Sequence, residues 1–157
     1  MHRTARSVLL VTLAAVLALA PAACGKDKKS GGEKFGTKPT VTVPSGDPPT
    51  ALTKKDLIVG NGAEATAGKK VTVQYVGVHF TTKKEFDASW KSGQAFPFTL
   101  GAGDVIKGWD EGVPGMKVGG RRQLVIPPDL AYGARGYPPV IGPNETLVFV
   151  VDLVSVS

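Results

Sequence analysis

The amino-acid sequence predicts an α+β domain in residues 51–157, in which a curved antiparallel sheet wraps one short α-helix. Two observations lead to this fold class. Apolar residues in this range alternate with polar ones more often than they recur with a helical period, and this alternation is typical of half-buried strands. Helical spacing occurs in one segment, which glycines and a proline keep short.

The strands are predicted from alternation and from the positions of prolines. In VTVQYVGV, for example, Val71, Val73 and Tyr75 share one face. Prolines end one segment and favour an edge position for another. The predicted strands are a short one at 57–59, VTVQYVGV at 71–78, AFPFTLG at 95–101, RRQLVIPP at 121–128 and TLVFVVDLVSV at 146–156.

The helix is predicted within GDVIKGWDEGVPGM, residues 103–116. Ile106, Trp109 and Val113 fall at i, i+3 and i+7, which places them on one face. Two glycines and a proline limit the helix to about two turns. The segment therefore holds a large indole on a short helix that can approach the sheet closely.

The N-terminus has the pattern of an export signal. Basic residues precede an uncharged apolar run at 8–20 that is too short to span a bilayer, so residues 1–23 are predicted to be a signal peptide. Cys24, preceded by two alanines and followed by glycine, resembles the lipobox of bacterial lipoproteins. This resemblance implies lipidation at Cys24 and retention at the outer face of the cell membrane. A plain secretory signal remains the alternative.

Residues 24–50 are predicted to be a flexible tether. They are rich in Lys, Gly, Ser, Thr and Pro and contain one aromatic residue, Phe35. Such a composition buries too little apolar surface to offset the entropy of ordering.

Several function classes lack their usual residues. The chain has a formal net charge of +6, but residues 51–157 hold nearly equal numbers of acidic and basic side chains, so no nucleic-acid partner is predicted. With one cysteine and two histidines, neither a Cys/His nucleophile nor a multi-histidine metal site is predicted. No nucleotide-binding motif is present, and no metal or other cofactor is expected.

Five motifs in order identify a family resemblance: YVGV, FDASW, FPFTLG, VIKGWDEGVPGMKVGGRRQLVIPPDLAYGARG and LVFVVDL. Over residues 57–156 they resemble the FKBP-type peptidyl-prolyl cis-trans isomerases, the macrolide-binding immunophilins. The resemblance implies a five-stranded antiparallel half-barrel sheet wrapped around one short α-helix. It also implies catalysis of X-Pro bond rotation in secreted or surface proteins, with proline-containing polypeptides as clients and macrolides of the FK506 and rapamycin type as ligands.

The resemblance also implies a set of site residues. The catalytic positions are Tyr75, Asp87, Ile106 through its backbone N–H, and Tyr132 through its hydroxyl. Residues 131–142 correspond to a flap over the ligand. The implied substrate-binding positions are Phe86, Phe96, Val105, Trp109 as the pocket floor, Tyr137, Val140, Ile141 and Phe149.

A noncovalent mechanism suits these residues, because an apolar pocket favours the less polar twisted amide over the planar one. An alternative from another class remains open. The same pocket in a membrane-tethered protein could bind proline-containing segments as a chaperone or adaptor with little turnover. Turnover of a proline peptide distinguishes the two.

Overall fold

The computed structural model describes residues 34–157. The predicted signal peptide at 1–23, the lipidation site Cys24 and the first part of the predicted tether lie outside the described residues. Within 34–157, no helix is long and apolar enough to cross a membrane.

The described chain forms an open antiparallel sheet with one short α-helix, which confirms the predicted α+β class. The helix α1 covers Lys107–Gly112. Three short 3-10 helices occupy Ser89–Lys91, Pro128–Leu130 and Gly133–Arg135. The strands are β1 Thr53–Ile58, β2 Lys70–His79, β3 Glu85–Ala88, β4 Phe96–Thr99, β5 Arg121–Ile126 and β6 Leu147–Val156.

The six strands occupy five positions in the sheet. The order is β1-β5-β6-β2-β3, and β4 also pairs with β2. Residues 76–78 of β2 pair with β3, whereas residues 70–73 pair with β4. The outermost position beside β2 is therefore shared by two short strands, of which only β4 was predicted from the sequence.

Alternation along the strands gives the sheet two apolar faces. On β5, Leu124 belongs to one buried cluster and Val125 to another, and on β6 the same holds for Phe149 and Val148. We call the side that carries Leu124, Phe149 and α1 the inner face, and the opposite side the outer face. The buried residues of the outer cluster are Val76, Val78, Phe80, Ala88, Val125 and Val148.

Two glycines of α1 allow the helix to approach the inner face. A Cβ placed on Gly112 would lie 2.8 Å from a methyl carbon of Leu124, and one on Gly108 would overlap Ile126. Any larger residue at these positions would push the helix away from β5. The predicted close approach of helix and sheet is thus present.

Part of the predicted tether lies against the outer face. The Arg121 guanidinium donates to the Thr37 carbonyl at 2.6 Å, and the Gln123 amide donates to the Thr42 carbonyl at 2.7 Å. We call residues 37–43 the strap. A flexible segment was expected here, but the strap finds hydrogen-bond donors on β5. The extent of the tether, 24–50, stays a prediction.

Apolar contacts add to these hydrogen bonds. Val41 and Val43 are half-buried against the outer cluster. Pro39 is buried, and the Lys38 ammonium lies 2.8 Å from the Glu85 carboxylate on β3. The strap therefore covers an apolar surface that β2, β5 and β6 would otherwise expose.

Candidate active site

A cavity of about 180 Å³ opens on the inner face beside α1. Side chains from β2, β3, β4, α1 and β6 converge on it, together with residues from the loop before α1 and from the flap. Its lining consists of Tyr75, Phe86, Asp87, Phe96, Asp104, Val105, Ile106, Trp109, Tyr132 and Phe149.

Trp109 lies at the centre of the aromatic lining. It is 4% exposed, and its ring centroid lies 5.0 Å from that of Tyr75 and 5.3 Å from that of Phe149, both nearly perpendicular. Edge-to-face contacts of this kind stabilise one ring orientation. Its Nε1 is buried and has no hydrogen-bond partner among residues 34–157. The indole is consequently held by packing and forms a rigid apolar floor.

One carboxylate is fixed at the cavity rim. The Tyr75 hydroxyl donates to Asp87 Oδ2 at 2.6 Å, and the Ala88 N–H donates to Asp87 Oδ1 at 2.8 Å. Burial raises the pKa of the Tyr75 phenol, and its hydrogen bond to Asp87 raises it further. Tyr75 therefore remains protonated at neutral pH, and Asp87 fixes the direction of its O–H.

Two further groups at the cavity are hydrogen-bond donors. Ile106 precedes the first turn of α1 with φ −60° and ψ 148°; its carbonyl accepts the Trp109 N–H. Within the described chain, neither the Ile106 N–H nor the Tyr132 hydroxyl has a hydrogen-bond partner. Burial, followed by the charge of Asp87, raises the pKa of Tyr132, so its hydroxyl also stays protonated.

The structure brings nine of the twelve predicted catalytic and substrate-binding residues to this cavity. The other three belong to the flap. Tyr137 and Val140 are 61% and 44% exposed, whereas Ile141 is 3% exposed and belongs to the inner core. The Tyr137 ring reaches the Tyr132 ring at 5.6 Å. These three residues do not line the cavity.

Asp104 lines the cavity and was not among the predicted site residues. It accepts a hydrogen bond from the Thr99 N–H at 3.2 Å, which ties the loop before α1 to the end of β4. The sequence signal for Asp104 was its position next to Val105, a predicted substrate-binding residue.

A second cavity, of about 110 Å³, lies by β1 and the turn after α1. No aromatic side chain lines it. The Arg122 guanidinium at its wall is occupied by Asp56 and by the carbonyls of Gly112 and Pro114. The aromatic cavity is thus the better candidate for chemistry.

Comparisons with known proteins identify the same family that the sequence motifs resemble. A family model described as FKBP-type peptidyl-prolyl cis-trans isomerase matches residues 62–154. The FK506-binding protein of Streptomyces anulatus is 58% identical over 120 residues, covering 76% of this chain and 97% of the relative. A probable FK506-binding protein of Corynebacterium glutamicum is 54% identical over 119 residues, covering 75% and 98%. The crystal structure of AtFKBP13 is similar with a TM-score of 0.64 at 38% identity, covering 69% of this chain and 95% of that one.

Proposed function

Since the chain belongs to the FKBP-type peptidyl-prolyl cis-trans isomerase family, we propose that the aromatic cavity on its inner face is the catalytic site. The protein is a peptidyl-prolyl cis-trans isomerase. Proteins of this family bind proline-containing substrates and ligands of the FK506 type.

The reaction needs no proton or covalent transfer. Amide resonance opposes rotation about an X-Pro bond with a barrier of about 18–20 kcal/mol. The twisted amide has lost that conjugation and much of the charge on its carbonyl oxygen. A cavity walled by Trp109, Phe149 and Phe96 gives the bound amide an apolar surface in place of water, which would stabilise the planar form. The proline ring would lie on the Trp109 face.

The two donors without a partner in the described chain can orient the substrate. The Ile106 N–H and the Tyr132 hydroxyl can each bind a carbonyl of the substrate and hold the backbone on either side of the rotating bond. Asp87 acts through Tyr75, whose hydroxyl it holds. If these effects together lower the barrier by about 5–8 kcal/mol, the rate rises roughly 10⁴- to 10⁶-fold.

The observation that carries this proposal is the combination of a rigid aromatic floor with two donors that have no partner in the described chain. Both donors are therefore available to form hydrogen bonds with a ligand. Their presence here is explained by a ligand that supplies carbonyl oxygens.

The experiment is an NMR exchange or protease-coupled assay of cis-trans isomerisation on a set of X-Pro peptides. We expect catalysis by the protein, inhibition by a macrolide of the FK506 type, and a large loss in Asp87→Ala. The matched control is Asp47→Ala, which removes an exposed carboxylate outside the cavity. A folded protein that binds the peptides without accelerating exchange would instead be a proline-segment binder.

The proposal extends to location. We expect export and lipidation at Cys24, so that the domain acts at the outer face of a bacterial membrane, where slow X-Pro isomerisation limits the folding of secreted chains. The support is the sequence of residues 1–24. Cells labelled with a fatty-acid analogue should incorporate it into the protein and not into Cys24→Ser. Unlabelled protein recovered from the medium would indicate plain secretion.

A further inference from the structure

A close polar contact connects the end of β2 with the loop that leads from the flap to β6. His79 Nδ1 lies 2.7 Å from Glu145 Oε1, and the two side chains are 15% and 18% exposed. The Nδ1 forms no aligned hydrogen bond. The contact joins two polar atoms of partly buried side chains, so it holds the Glu145 carboxylate against the end of β2.

The same carboxylate holds the flap. Glu145 Oε2 accepts the N–H of Gly142, the last flap residue, at 2.8 Å. The Asn144 N–H donates to the Gly133 carbonyl at 2.9 Å, so the two ends of the flap are also joined to each other. Glu145 thus fixes the flap at the point where the chain returns to β6.

The histidine touches the wall of the cavity. The His79 ring packs on Phe86 with centroids 5.0 Å apart and planes tilted by 54°. Phe86 lines the cavity and meets Phe149 edge to face at 5.6 Å. A continuous series of contacts therefore runs from the flap through Glu145 and His79 to the aromatic wall.

We propose that His79 and Glu145 form a positioning pair that sets the location of the flap relative to the Phe86 wall and thereby the affinity for proline-containing segments. The flap carries Tyr132, whose hydroxyl is one of the two donors at the cavity. A displaced flap moves this donor away from the bound carbonyl. This inference rests on the proposed function, because it assigns the cavity to the substrate.

Two substitutions alter the contact between His79 and Glu145 and retain the other contact of each residue. His79→Phe keeps a ring against Phe86, and Glu145→Gln keeps an acceptor for the Gly142 N–H. Each variant should raise KM for an X-Pro peptide by a factor of about three to five, with kcat within about twofold. Because both break one interaction, the double variant should raise KM no further than either single one.

Glu85→Gln is the matched control, since Glu85 forms ion pairs with Lys38 and Lys91 away from the cavity. Its KM should equal that of the unchanged protein. KM does not depend on the fraction of folded enzyme, so a merely structural role of His79 and Glu145 would lower the apparent kcat alone. That outcome, or additive effects in the double variant, would overturn the proposal.

A second readout separates this inference from the proposed function. The Gly142 amide resonance in a ¹H–¹⁵N spectrum reports the flap without turnover, and it should shift in His79→Phe even though Gly142 is distant in sequence. If the unchanged protein showed no catalysis, peptide titrations followed at Gly142 should still give a weaker affinity in both variants. Unchanged Gly142 resonance and unchanged peptide affinity would reject the positioning pair, whatever the assay shows about isomerisation.

Discussion

The two faces of the sheet use similar apolar residues in different ways. The inner face leaves a cavity between the strands and α1, and two donors beside it have no partner in the described chain. The outer face is covered by the strap, and its Arg121 and Gln123 side chains donate to strap carbonyls. The two donors at the inner cavity are thus unpaired, whereas Arg121 and Gln123 on the outer face are paired with the strap.

This difference separates binding from stability. An apolar face that is covered by the strap, with Arg121 and Gln123 hydrogen-bonded to it, lowers the free energy of the folded state. An open aromatic cavity with unpaired donors gives up part of that stabilisation and retains the capacity to bind. Changes on the outer face should therefore affect unfolding, and changes in the cavity should affect catalysis.

The largest expected effect is on the outer face. Arg121 and Asp152 form a buried ion pair, with Nε–Oδ1 and Nη2–Oδ2 distances of 2.6 and 2.8 Å. Arg121→Met leaves the aspartate buried and unpaired, which should lower the free energy of unfolding by about 3–5 kcal/mol in urea titrations. The double variant Arg121→Met/Asp152→Leu should regain most of this loss. A fall in kcat/KM per folded molecule would contradict the separation of the two faces.

Removal of the strap should have the next largest effect. A chain that starts at residue 44 should unfold with about 2 kcal/mol less free energy than one that starts at residue 34, because two half-buried valines and the contacts of Pro39 are lost. The kcat/KM values of the two chains should agree. Equal urea midpoints would show that the strap does not stabilise the outer face.

Tyr132→Phe tests the inner face because it removes only the hydroxyl group of this side chain. The hydroxyl has no partner within 34–157, so its removal should leave the urea midpoint unchanged. It should lower kcat/KM by a factor of about three to ten, as expected for one neutral hydrogen bond to the substrate. A stability loss without a catalytic effect would place this hydroxyl among the structural groups.

The smallest expected effect is a pH dependence of strap binding. Lys38, the largest contributor, and Lys91 hold the pKa of Glu85 below its ordinary value of 4.5. A lowered carboxyl pKa contributes stability above the unfolded-state value and loses it as the pH falls through the folded-state value. Lys38→Met should cost about 0.2–1 kcal/mol at pH 7 and nothing at pH 2 in urea titrations. A cost that persists at pH 2 would mean that Lys38 acts by packing.

Strong alternation made most of the sheet predictable from sequence. The long strands β2 and β6 were placed within one residue at each end, because their apolar residues alternate over many positions. The strand β3, Glu85–Ala88, was missed, since four residues between charged and polar neighbours carry little periodic signal. Both β3 and β4 pair with β2, and the 3-10 turn Ser89–Lys91 lies between them. No local sequence pattern predicts this turn.

The strap and the flap have tertiary contacts that the sequence pattern did not predict. The Lys, Gly and Pro residues around the strap led to the prediction of a flexible tether. The alternation of Val41 and Val43 with polar residues was a sequence signal for an apolar contact. In the flap, Ile141 is 3% exposed and packs in the core, a contact that the sequence pattern does not show; its assignment to the substrate site stays a prediction. The positioning pair joins residues 66 positions apart and depends on strand pairing.

The central claim is best tested at two neighbouring residues of β6 that are both buried and face opposite sides. Phe149 lines the cavity and Val148 belongs to the outer cluster. Isomerase assays on one X-Pro peptide, corrected for the folded fraction, should show kcat/KM reduced by a factor of about ten or more in Phe149→Ala and by less than about twofold in Val148→Ala. Equal losses in the two variants would contradict the assignment of catalysis to the inner face.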